Sequence, residues 1–165
     1  VDHDPAGEGE AGGLISFRDA TEADLPAIVA MLADDALGGS REDPGPPLPQ
    51  AYVDGFRAMT ARGGCVILAL DDDAPVGCLQ LDILPGVSQL GMTRAQVEGV
   101  RIASARRGTG LGQLLMQEAI RRATDAGARS MQLTTNLSRT AAQRFYTKLG
   151  FTQSHAGFKL DLWGG

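Results

Sequence analysis

The chain has 165 residues, of which 43% are apolar and 21% charged, the ordinary balance of one globular domain rather than of a disordered chain. A formal net charge of −5 and a pI near 4.9 argue against nucleic acid as the main partner, which needs a basic face. No apolar run reaches the length of a membrane span and no basic-then-apolar signal opens the chain, so no membrane partner is expected and the expected compartment is cytoplasmic.

Residues 1–13 lack apolar periodicity and are rich in glycine and acid, the composition of a disordered tail; residues 14–165 then form one domain. Leu14 to Arg18 is expected as a first strand. Thr21 with Asp24 after it resembles a capping box, heading a helix that carries Leu25, Ile28, Val29 and Leu32 at helical spacing. The segment 38–49, with four prolines and three glycines, excludes helix and central strand. It is either a plain connection or a substrate loop. A second helix follows from Ala51, with Tyr52, Phe56 and Met59 on one side.

Cys65–Leu70 and Val76–Leu84 read as an antiparallel hairpin turning at Asp71–Pro75, the acidic triplet being a solvated turn. Cys65 and Cys78 sit within apolar runs and are expected as buried thiols of a reducing compartment. His3 and His155 lie far apart, with no Cys/His cluster beside either, so no metal site is proposed.

A strand over Arg94–Ala103 leads into Arg106-Arg107-Gly108-Thr109-Gly110-Leu111-Gly112 and then an amphipathic helix. Strand, glycine turn and helix together aim unpaired N–H groups and a helix dipole at one spot, the design of a diphosphate cradle. A dinucleotide fingerprint would need glycine where Gln113 stands, and a P-loop would need a Gly-Lys-Ser/Thr triplet that is absent. The helix is expected to turn Leu111, Leu114, Leu115, Ala119, Ile120 and Ala123 inward. Met131–Thr135 returns as a parallel strand, because a β–helix–β unit requires it. Ser138 or Thr140 opens a last helix with Ala141, Ala142, Phe145 and Leu149, and Phe151–Ser154 with Phe158–Leu162 is expected as a final hairpin around Gly157. The order β-α-α-β-β-β-α-β-α-β-β describes a single α/β domain with a mixed, mostly antiparallel sheet and helices on both faces.

Arg107 to Gly112 fits Q/R-x-x-G-x-G/A, and Asn136 to Phe151 fits N-x-x-R-x-x-A-x-x-F-Y-x-x-L-G-F. Both in this order resemble the two signatures of the GCN5-related N-acetyltransferase (GNAT) family over residues 14–162, nearer its bacterial small-molecule members than its histone-type ones. The resemblance implies acetyl-CoA as acyl donor, without a metal, and direct transfer to a primary amine in a ternary complex. It implies that the strand before the cradle bulges, that backbone groups of Val100 and Ile102 pair with the pantetheine arm, and that Arg107, Gly108, Thr109, Gly110, Leu111 and Gly112 hold the pyrophosphate. Asn136 would flank the arm near its sulfur, and Arg106 is either a phosphate contact or a solvated charge. Tyr146 is either the acid that protonates the departing thiolate or a tyrosine buried with an ordinary hydrogen-bond partner.

Strand alternation puts Gln96, Glu98, Val100 and Ile102 on one face. Glu98 is then the nearest carboxylate to serve as base or counter-charge, unless it pairs with an arginine such as Arg94. In the fold so implied the acceptor, expected as a small-molecule amine, enters between the 38–49 loop, with Arg41, Glu42 and Asp43, and the region of His155. Dimers are common in that family, which leaves a homodimer open. Two rival readings are a catalytically idle acyl-CoA-binding regulatory module and a nucleotide-binding α/β domain.

Overall fold

The computed structural model describes residues 13–163, so the expected N-terminal tail lies outside the described residues except for Gly13. Five strands form one sheet in the order β1 (Ile15–Asp19), β2 (Cys65–Asp71), β3 (Ala74–Leu84), β4 (Arg94–Ile102) and β5 (Ser130–Leu133). The first four are antiparallel neighbours, whereas β4 and β5 are parallel, joined through the crossover helix between them. The helices are α1 (Leu25–Ala33), α2 (Gln50–Ala61), α3 (Leu111–Asp125) and α4 (Thr140–Lys148). Among the described residues no helix is long and apolar enough to cross a membrane.

Alternation along β2 and β3 explains why helices cover both faces. Val66, Leu68, Leu70 and Cys78 meet α1 and α2, while Ile67, Ala69, Leu79 and Leu81 meet α3 and α4. At the head of α1 the Asp24 carboxylate accepts the Thr21 N–H at 2.7 Å and also binds Arg18 at 2.7 Å. The β2–β3 turn uses Asp72 and Asp73 in the left-handed region, as a tight hairpin requires. Its neighbour Asp71 is not simply solvated, because it forms an ion pair with Arg106 in the turn after β4.

The α3 stripe differs from expectation. Met116 is fully buried, while Leu114 and Ile120 are 46% and 38% exposed. The buried residues Leu111, Leu115, Met116, Ala119 and Ala123 span one arc of the helix, and Leu114 falls outside it. In α4 the inward residues are Ala142, Phe145, Tyr146 and Leu149, with Ala141 exposed.

The expected C-terminal hairpin is not formed within the chain. Residues 151–163 contain no strand, and Phe158, Leu160, Leu162 and Trp163 are 83–95% exposed. Their alternation is strand-like, but alternation specifies a face and not a partner. Cys65 is half-buried and Cys78 fully buried, both as free thiols, and burial pushes the Cys78 thiol up to about 12.

Candidate active site

The parallel ladder between β4 and β5 runs only from Arg94 opposite Ser130 to Val97 opposite Leu133. Beyond Val97, β4 continues to Ile102 with β3 on one side and, among the described residues, no strand on the other. Here the register with β3 jumps between Cys78 and Gln80, and Gly99 adopts φ +60°, so β4 bulges. A side chain at Gly99 would be strained at that φ, which explains the glycine.

The bulge overturns the simple alternation expected for β4. Gln96 and Glu98 stand opposite Asp82 and Gln80, and Arg101 lies on that same side, its Nε 3.0 Å from Asp35 after α1. Val100 and Ile102 instead join the α3–α4 core. The extra residue at the bulge shifts the parity of everything after it. Glu98 therefore does not share a face with Val100 and Ile102. The carbonyls of Val100 and Ile102 accept from Arg101 Nη1 at 2.9 Å and from Arg107 Nε at 3.2 Å.

After Ile102 the chain turns through Ser104–Arg106 and reaches α3 by way of Gly110 at φ +86°. From Gly108 to Gln113 no backbone N–H has an acceptor among the described residues. A Cβ at Gly108 or Gly110 would stand in open space. The turn is braced from behind: Thr109 Oγ1 donates to the Arg106 carbonyl at 2.6 Å, and Arg107 Nη2 donates to the Asp34 carbonyl at 2.8 Å. Arg106 is tied back to Asp71, so both arginines brace the glycine turn. Gly112 has another reason to be small, since a Cβ there would lie 3.3 Å from Phe145 Cζ of α4.

The second signature forms the other wall. Asn136 Oδ1 accepts from the Ser138 N–H at 2.9 Å and from its hydroxyl at 2.7 Å, fixing the turn before α4. Arg139 donates to Asp35 at 2.8 Å, so Asp35 holds Arg101 of β4 and Arg139 of the β5–α4 connection together. Burial would raise the Asp35 carboxyl, but the Gly38 amide, Arg139, Arg101 and the Leu37 amide together hold it at about 2. Tyr146 stacks edge-on with Phe145 at 5.2 Å and with Phe151 at 5.8 Å. Its hydroxyl has no hydrogen-bond partner among the described residues. Burial raises its pKa, opposed by Arg101 and Arg139.

A carboxylate held low in the folded state contributes stability that is complete above its unfolded pKa and lost as pH falls through the folded value. For Asp35 that window runs from its ordinary 3.8 down to about 2. Asp35→Asn is expected to lower Tm at neutral pH and to flatten the fall of Tm below pH about 4, without abolishing it, since Asp24 and Glu118 are also held at about 2. Parallel Tm-versus-pH curves for wild type and variant would show that Asp35 carries no such linkage.

On the α1–α2 side the sheet floors two adjoining cavities. One, of about 240 Å³, is apolar, with Ile28, Leu32, Tyr52, Phe56 and Met59 around Gly99. The other, of about 350 Å³, is polar, with Arg62, Gln80, Asp82, Gln96 and Glu98. Glu98 has no ion-pair partner among the described residues, so the pairing with Arg94 is not formed. Arg41, Glu42 and His155 line neither cavity. Glu42 accepts from the Tyr52 hydroxyl at 2.8 Å, which in turn accepts the Asp43 N–H at 2.9 Å, tying the loop to α2. His155 is exposed, its Nδ1 2.7 Å from the Ser154 hydroxyl.

Residues 27–151 match the family model for the acetyltransferase (GNAT) family. The chain belongs to the GNAT acetyltransferase family. It is 32% identical over 153 residues to an aminoalkylphosphonate N-acetyltransferase of Salmonella typhimurium, covering 90% of this chain and 92% of that one. A crystal structure of a transcriptional regulator from Bacillus halodurans superposes with a TM-score of 0.86 at 43% identity, covering 90% of this chain and all of that one. A provisionally named acetyltransferase from Agrobacterium tumefaciens gives a TM-score of 0.77 at 31% identity, covering 88% and 99%.

Within this GNAT fold, sequence reasoning overlooked the Asp35–Arg101–Arg139 cluster and the Tyr52 anchor. The only sequence signal for the former was Arg139, the arginine of the second signature, whose partner lies 104 positions away. Nothing local marked Tyr52, which read as one member of an apolar helix face.

Proposed function

We propose that this GNAT protein transfers the acetyl group of acetyl-CoA to the primary amine of a small molecule, directly and in a ternary complex. The observation that carries the reading is the bare edge of β4 beyond Val97, which leads into the unpaired N–H groups of Gly108 to Gln113. An extended amide chain fits such an edge as an added strand, and a pyrophosphate fits such a cradle. Bound acetyl-CoA supplies an acyl thioester whose sulfur leaves as a thiol.

Backbone groups of Val100 and Ile102 hold the arm, residues 107–112 hold the diphosphate mainly by main-chain N–H, and Asn136 flanks the sulfur end. Glu98, open in the polar cavity, accepts the proton of the incoming ammonium, directly or through water. The freed amine forms the new C–N bond, the C–S bond breaks, and Tyr146 returns a proton to the sulfur. A raised phenol pKa keeps that proton in place at neutral pH. The two free thiols, neither in a disulfide, suit a reducing cytoplasm.

The acceptor's surroundings narrow its chemistry. Glu98 and Asp82 face an ammonium, Arg62 supplies one positive charge, and the adjoining apolar cavity takes a hydrocarbon body. The Salmonella relative is named for an acceptor that joins an amine to a phosphonate, so such compounds belong beside alkyl and aryl amines in a panel with thiol-release detection. Glu98→Gln is expected to lose kcat/KM most at low pH and to recover partly as rising pH supplies neutral amine. A counter-charge role would instead raise the acceptor KM. Kinetics equal to wild type across pH would remove Glu98 from either role.

The relative named as a transcriptional regulator favours a second reading, an acyl-CoA-binding module without turnover. A chain that binds CoA tightly but releases no thiol with any amine in the panel would establish it.

A further inference from the structure

We propose that Gly55 of α2 keeps a passage open between the two cavities, and that the acceptor spanning it is a primary amine on a compact, uncharged aryl or branched alkyl body. The inference rests on the amine-transfer reading above and names the class of its acceptor. Helical spacing places Tyr52, Gly55, Phe56 and Met59 on one face of α2, and all four line the apolar cavity. Inside a helix glycine is the least favourable residue after proline. A positive φ or a close neighbour normally explains it. Gly55 has neither: its φ lies outside the left-handed region, and a Cβ there would meet no atom within 4 Å. What the missing side chain leaves is space. Gly55 also lines the polar cavity, together with Met59 and Gln80, so that space lies where the two cavities meet.

The cavities differ in what they can hold. In the polar one the Glu98 and Asp82 carboxylates outnumber Arg62, which favours a cationic ammonium head. Among the described residues no charged side chain lines the apolar one. Two polar groups on its wall are already engaged: the Tyr52 hydroxyl donates to Glu42 at 2.8 Å, and Gln80 Nε2 donates to Asp82 at 2.7 Å. A phosphonate or carboxylate there would lose its water without gaining a partner, whereas a hydrocarbon gains by leaving water. The cavity of about 240 Å³ exceeds the roughly 150 Å³ of an apolar cavity that takes benzene, so an aryl ring fits with its linking carbons.

Thiol release by the full chain with acetyl-CoA is compared for phenethylamine, ethylamine and aminoethylphosphonate. One methylene in an apolar pocket is worth roughly 10–200-fold, so phenethylamine is expected to exceed ethylamine in kcat/KM by ~10²-fold or more. Gly55→Leu, which fills the passage, is expected to cut that ratio by roughly tenfold or more. Gly55→Ala is expected to lower the ratio in the same direction while raising Tm by about 2–4 °C, a split that a merely structural glycine would not produce. The alanine variant serves alone if leucine prevents folding. Equal use of phenethylamine and ethylamine, preference for aminoethylphosphonate, or a wild-type ratio in the folded variants would each overturn the proposal. Melting shifts with the same amines separate it from the transfer reading. Thiol release without preference for phenethylamine overturns the proposal alone. No release, with phenethylamine still raising Tm more in wild type than in the Gly55 variants, overturns transfer alone and supports the passage. Neither release nor such a shift overturns both.

Discussion

Tyr146→Phe is expected to lower kcat by about 10²–10⁴-fold, the usual loss when a positioned general acid is removed. Phenylalanine keeps the ring that stacks edge-on with Phe145 and Phe151 and deletes only the hydroxyl. That hydroxyl has no protein partner among the described residues, so its loss leaves no polar atom stranded and Tm should hardly move. Burial raises the phenol above its ordinary 10 in spite of Arg101 and Arg139, so the wild-type acid stays protonated through neutral pH. Acetyl-CoA Kd, measured by calorimetry, should be close to wild type. A variant with near-normal kcat would assign Tyr146 to packing alone.

Gly110→Val is expected to raise the acetyl-CoA Kd by roughly 10²-fold or more, the equivalent of losing two hydrogen bonds to a charged group at ~1.5 kcal/mol or more each. Gly110 stands at φ +86° at the head of α3, and the space its Cβ would enter is open, over the N–H groups from Gly108 to Gln113. Valine there obstructs a ligand rather than a neighbouring residue. It also strains the turn, by about 1–2 kcal/mol for a left-handed non-glycine residue, so Tm should fall by several degrees with the melt still cooperative. A folded variant with unchanged CoA affinity would remove the cradle from the proposal.

The sequence by itself determined the local elements of this protein. Gly108 and Gly110 supply positive φ where the chain enters α3, Thr21 and Asp24 organise the start of α1, and the alternation of Cys65–Leu70 and Val76–Leu84 sets which faces of the hairpin meet helices. These depend on residues within a few positions of one another, so a linear pattern contains them. The two signatures are of the same kind, each a strand–turn–helix or turn–helix segment.

Tertiary structure decided the rest. One extra residue at Gly99 turned Arg101 to the side that Glu98 already faced, toward α1 and α2, and sent Val100 and Ile102 into the opposite core. The parity of a strand is a pairing property, and β3 supplies the pairing. Asp35, Arg101 and Arg139 meet only because α1, β4 and the β5–α4 connection converge, and Arg106 finds Asp71 across 35 positions. The row of Phe158, Leu160 and Leu162 has the pattern of a strand in the sequence and remains outside the sheet in the fold. Hydrophobic alternation states that a segment needs a partner, and only the arrangement of sheet edges in space selects it.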